Sequence, residues 1–231
     1  MRGKLIVIEG TDCSGKETQS NILIEKLNRD GINVSKFSFP NYDSPTGKII
    51  GGPYLGKSYI GECWFKEGAP AVDPKVASLY YAADRKYNIG LIEENLEAGV
   101  NVILDRYIYS NMAHQAGKID DEAKRLQMYK WLETLEFDLL ELPHADIRIF
   151  LHMPYEASLT LKPGRAEALD EHERSKEHLI KAETAYVELA KKYNFYTIEC
   201  TGENGIRTIQ DISDQLYDYV KSELHLFVKK K

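Results

Sequence analysis

Short apolar runs alternate with longer stretches of helical periodicity along this chain. Leu5–Ile8, Val34–Phe39, Val100–Leu104, Ile147–Leu151 and Tyr196–Ile198 are compact and apolar, the pattern of strands buried on both faces. Between them, roughly Lys16–Arg29, Pro74–Ala98, Asp120–Leu135, Asp170–Tyr193 and Ile206–Leu224 carry apolar positions at helical spacing. A parallel pair of strands needs a crossover, usually a helix, so this alternation predicts an α/β fold: a parallel sheet with helices on both faces. Gly31, Gly99 and Gly205 punctuate helix ends or starts. The stretch 51–74 breaks the pattern. It is rich in glycine and proline, yet it holds Tyr54, Tyr59, Trp64 and Phe65, which need something to pack against. A partly helical excursion is expected there rather than a linker.

Composition narrows the class. The 231 residues suit a single domain, 1–231, able to bury a full core without staples. A net charge of −6 argues against nucleic acid or an anionic membrane surface as the main partner, though an acidic chain can still hold a basic pocket for a phosphorylated small molecule. Cys13, Cys63 and Cys200 are scattered and form no CxxC pair, so neither a disulfide framework nor a zinc motif is expected from cysteine spacing. That favours a reducing, cytoplasmic setting. Leu5–Ile8 runs straight into Glu9-Gly10 and is too short for a signal peptide; no apolar run is long enough to span a bilayer.

Candidate chemistry concentrates after the first strand, in Gly10-Thr11-Asp12-Cys13-Ser14-Gly15-Lys16-Glu17-Thr18. A Gly-x4-Gly-Lys turn between strand and helix points backbone N–H groups inward to cradle ATP phosphates, and its lysine reaches the β- and γ-phosphates. The position after the lysine, ordinarily Ser or Thr for magnesium, is Glu17. A second cluster, Asp105-Arg106-Tyr107, ends the third strand, where the ligand crevice of a parallel sheet lies. An aspartate there suits Mg2+, and an arginine beside it can clamp phosphoryl oxygens. The plain alternative is a strand-end ion pair.

Further motifs follow in order: Phe39-Pro40, Val72-Asp73-Pro74 leading into Ala77-Ser78-Leu79-Tyr80-Tyr81-Ala82-Ala83-Asp84-Arg85, then Asp105-Arg106-Tyr107 with Ser110. With the loop at Gly10–Thr18, they make the chain resemble the thymidylate kinases over nearly its whole length. The resemblance implies a three-layer P-loop fold with a five-stranded parallel sheet and a small lid near 162–170. It also implies transfer of the ATP γ-phosphate to dTMP with Mg2+, and a homodimer. Within it, the catalytic residues are Lys16, which holds the transferring phosphate, Arg106 and a lid arginine, which neutralise its charge, and Asp12, which joins Asp105 at the metal. Phe39, Tyr42, Tyr81, Arg85, Arg106, Ser110, Asn111 and Gln115 form the acceptor site, with Tyr81 stacking on the base and Arg85 donating to a base carbonyl. Asn111 and Gln115, four residues apart, can both donate and accept toward the N3–H and O4 edge of thymine.

Departures from the family pattern are Glu17, Asn41 in place of a phosphate-binding arginine, and His114 where the family often has Tyr or Phe. With Cys13 where the loop could have carried an arginine, the family's alternative is a lid arginine: Arg165 first, Arg174 second. Thr201-Gly202-Glu203 falls where related kinases touch adenine. Two other readings stay open: a phosphotransferase for another nucleotide or deoxynucleoside, and a catalytically weak nucleotide-binding regulator.

Overall fold

A computed structural model describes residues 1–161 and 169–229. Its centre is a five-stranded parallel sheet: β1 (Leu5–Gly10), β2 (Val34–Ser38), β3 (Asn101–Asp105), β4 (Ile147–His152) and β5 (Tyr196–Glu199), in the order β2-β3-β1-β4-β5. Alternation along the strands splits the apolar residues between two cores. Leu5, Val7, Val102, Leu104 and Phe150 face one side, where they pack with α3 (Pro74–Glu97), α5 (Glu122–Glu133) and α7 (Lys176–Lys192). Ile6, Ile8, Ile103, Ile149 and Leu151 face the other, against α1 (Lys16–Arg29) and α8 (Ile209–Lys229). The expected layering is therefore present. No helix among the described residues is long and apolar enough to cross a membrane.

Helix limits follow local capping. The periodicity predicts a helix from Asp170, but α7 starts at Lys176. The Asp170 carboxylate instead accepts the N–H groups of His172 and Glu173, closing a turn, and Ser175 Oγ caps α7 through His178 N–H. Likewise α8 starts at Ile209, because Ile206 pairs in a small hairpin, β6 (Thr201–Gly202) with β7 (Gly205–Ile206), and Thr208 Oγ1 accepts Asp211 N–H. Asp73 caps α3, accepting from Lys75 and Val76, with Pro74 at the first helical position where its missing N–H costs nothing.

The 51–74 excursion is partly helical, as expected. It follows α2 (Pro45–Ile49) as one wide turn over Ile50–Tyr54 and ends in a short 3-10 turn at Ala69–Ala71. Its aromatics divide. Tyr54 is fully buried in a third core with Ile50, Leu55, Ala69, Val72 and Ala77, and Phe65 packs against that core. Tyr59 and Trp64 are exposed.

Candidate active site

The carboxyl ends of β1, β2 and β3 open into one cavity of about 520 Å3. Its first wall is the loop after β1. Gly10 cannot be replaced without a clash: a Cβ there would lie 2.4 Å from Ser14 Oγ and 2.8 Å from the Leu151 carbonyl. Cys13 and Gly15 take positive φ of 56° and 74°, which turns the chain tightly into α1. Thr11 locks the loop to β4, donating to Met153 O at 2.7 Å and accepting Met153 N–H at 2.8 Å. Lys16 is buried with its ammonium on the carbonyls of Gly10 and Thr11, both at 3.0 Å. Burial, with Arg106 nearby, pulls that ammonium down to about 8, against the pull of Asp105 and Asp12. Asp12, Cys13, Ser14, Glu17 and Thr18 border the same cavity, and Glu17 and Thr18 are exposed.

The second wall is the end of β3. Arg106 holds a left-handed φ of 68°, a conformation that costs a non-glycine residue about 1–2 kcal/mol. Its neighbours hold it there. Glu9, wholly buried at the end of β1, accepts the N–H groups of Tyr107 (2.8 Å) and Ser110 (3.0 Å), so it caps the short helix α4 (Ile108–Asn111). Its other oxygen accepts from Ser110 Oγ (2.6 Å) and Tyr186 Oη (3.2 Å). Arg106 Nη1 in turn donates to those same two hydroxyls at 3.2 Å. Burial raises Glu9 above the usual carboxylate range, with Ser110, Arg106 and Tyr107 offsetting part of the shift. Asp105 is nearly buried and lines the cavity beside Arg106.

The far wall is built by α3 and the turns after α4. Tyr81, Arg85, Asn111 and Gln115 come together there, with Phe39, Tyr42 and Ser110 on the adjoining sides. The guanidinium of Arg85 is not free, however. Nε and Nη2 engage Glu136 in a fully buried bidentate ion pair, Nη2 at 2.6 Å. Asn111 Nδ2 donates to the same carboxylate at 3.1 Å and to Ser78 O at 3.3 Å, which leaves Oδ1 buried without a partner. Both amide atoms of Gln115 are likewise buried without a hydrogen bond. Asn41 is turned to structural work: its N–H reaches Asp84 (2.9 Å) and its amide reaches Asn88 (3.1 Å).

Arg165 lies outside the described residues. Arg174 is exposed, pairs with Glu171 at 3.0 Å and does not border the cavity. Several lining or supporting residues escaped the sequence reading. Glu9 was detectable as a lone carboxylate in an apolar strand. Glu136, Tyr186 and Lys57, whose ammonium lies 3.6 Å from Asp170, carry no such mark.

A family model described as thymidylate kinase matches residues 8–211, taking in all three walls. The chain belongs to the thymidylate kinase family. It is 31% identical over 222 residues to a probable thymidylate kinase of Methanocaldococcus jannaschii, covering 95% of this chain and 97% of that one. The thymidylate kinase of Schizosaccharomyces pombe is 29% identical, with 96% and 93% covered. Among solved structures, that of thymidylate kinase from Candida albicans superposes with a TM-score of 0.70 at 28% identity, covering 96% of this chain and 92% of that one. As a thymidylate kinase family member, the chain is an enzyme of the nucleotide kinase class.

Proposed function

We propose that this cavity transfers the γ-phosphoryl group of ATP to dTMP, giving ADP and dTDP. The observation that carries the reading is the joining of a phosphate-cradling loop and an amide-lined wall in one cavity, with Arg106 near enough for its charge to act on both Lys16 and Tyr81. The loop N–H groups and Lys16 would hold the triphosphate of ATP. Tyr81 would stack on the acceptor base. Asn111 spends its N–H groups on Ser78 and Glu136, so its remaining Oδ1 suits the N3–H donor of thymine and not the bare N3 of cytosine. Arg85 keeps three of its five N–H groups beyond those given to Glu136, and they suit a base carbonyl.

An oxygen of the dTMP phosphate attacks the γ-phosphorus; that P–O bond forms as the bond to the β-phosphate oxygen breaks, and ADP leaves. The acceptor is already ionised, so no general base is needed. Arg106 and Lys16 lie where charge builds on the transferring group, and they stabilise it there more than in the ground state. Asp105 and Asp12, two carboxylates bordering the phosphate wall, suit a hard cation, and Mg2+ held by them would screen charge on the phosphate oxygens. The enzyme would work as a homodimer through α3, whose outer face exposes Val76, Leu79, Tyr87 and Leu91 in one stripe.

A panel of nucleoside monophosphates assayed with ATP tests the reading. The highest kcat/KM should belong to dTMP, with dCMP weaker by roughly tenfold or more, the cost of leaving one buried polar group unpaired. A purine monophosphate that outruns dTMP would overturn it.

A further inference from the structure

Three imidazoles meet beside the acceptor wall. His114 stands in the turn Met112–Ala116, His172 in the turn before α7, and His178 in the first turn of α7. Each offers a ring nitrogen within 4.8 Å of the others, and among the described residues these are the metal-capable side chains so grouped. His114 Nδ1 is 3.1 Å from His178 Nε2. Three nitrogens around a tetrahedral Zn2+, each about 2.0–2.1 Å from the ion, stand about 3.4 Å apart. One pair is thus within about 0.3 Å of that spacing, and ring rotation about the broad χ2 torsion would bring the third nitrogen in from within 4.8 Å.

We propose that His114, His172 and His178 form a three-histidine site for a borderline-soft divalent cation of the Zn2+ type. Imidazole binds such a metal only when neutral. Burial holds all three rings below the ordinary histidine value, His178 at about 3, so each keeps a lone pair at neutral pH. The surroundings also orient the ligands. Tyr54 Oη lies 3.0 Å from His172 Nε2, a hydrogen-bond partner of the kind that ligating histidines usually carry on the ring nitrogen away from the metal. Lys118 is a neighbouring cation whose ammonium is held on the carbonyls of Ala69 and Val72, both at 3.0 Å, and its charge is the repulsion a bound dication must overcome.

The site's position gives it a consequence. His114 and His172 border the nucleotide cavity, whereas His178 does not. A bound metal would tie the turn after α4 to the start of α7, next to Tyr54 of the 51–74 excursion.

Chelator-treated enzyme is dialysed against Zn2+ and separately titrated with Co2+. The expected result is one Zn2+ per chain, a higher thermal midpoint, and the intense visible bands of low-coordinate Co2+ bound by nitrogen and oxygen. Both His172→Gln and His178→Gln should abolish stoichiometric uptake, and His178→Gln should keep its basal kinase activity. No uptake by the unaltered enzyme would overturn the site. So would a near-ultraviolet thiolate charge-transfer band, which would put the metal on Cys13 or Cys63, or full uptake by either folded variant.

Discussion

At the residue scale, buried carboxylates hold the side chains that line the cavity. Glu9 holds Arg106 in its left-handed turn by taking two backbone N–H groups and two hydroxyls. A glutamine at this position has the same shape but one fewer acceptor oxygen. Glu9→Gln should lower kcat roughly ten- to a hundredfold through small misplacement of Arg106, with the KM for ATP little changed. Steady-state kinetics beside a thermal melt decides: a lowered melting point with normal kcat would make Glu9 merely structural. Glu136 does the same for the far wall. It orients Arg85 and Asn111 together, and removing either member of that buried ion pair would cost about 3–5 kcal/mol. An alanine at Arg85 therefore confounds recognition with stability, and the acceptor panel is the cleaner test.

At the scale of elements, the edge of the sheet is tied by a titratable group. His152, the last residue of β4, contacts Glu183 of α7 at 3.0 Å and Glu199 of β5 at 2.7 Å. Its hydrogen bond to Glu183, helped by Glu199 and opposed by burial, raises its affinity for a proton. A histidine with a raised folded value stabilises the fold fully below its unfolded value of about 6.5 and loses that contribution as pH rises through the folded value. Denaturant unfolding should show the wild type's advantage over His152→Gln at about pH 6 shrinking by about pH 9. The effect should stay below about 1 kcal/mol, because Glu199 is more than half exposed and water screens the pair. A constant difference across that range would contradict the assignment.

At the scale of the whole molecule, α3 serves two faces. Inward, Ala77, Ala82, Ile89, Ile92 and Leu96 are buried, with Arg85 against the site. Outward, Val76, Leu79, Tyr87 and Leu91 are 42%, 50%, 63% and 57% exposed, a concentration of apolar surface that a lone chain rarely leaves in water. Sedimentation of the 26.4 kDa chain should give a dimer. Tyr87→Glu with Leu91→Glu should give a monomer; a dimer that survives both charges would place the interface elsewhere.

Much of this was readable before any coordinates. Short apolar runs located all five strands of the parallel sheet, helical periodicity located five long helices, and fixed glycine–lysine spacing located the phosphate loop. These are local properties: side-chain direction alternates within a strand, and a tight loop needs its glycines wherever it occurs. The short helices, the hairpin at β6–β7 and the late start of α7 were not readable, because single caps such as Asp170 and Ser175 decide them.

What sequence alone determined is thus the class of fold, the loop that cradles phosphate and the family. Pairings across long distance belonged to the tertiary structure. Arg85 meets Glu136 across 51 residues, Tyr186 meets Glu9 across 177, and His114 meets His178 across 64. No periodicity marks such partners. A buried charge or imidazole is committed only when folding removes water and leaves one neighbour within reach, and that neighbour is chosen by the packing of whole elements.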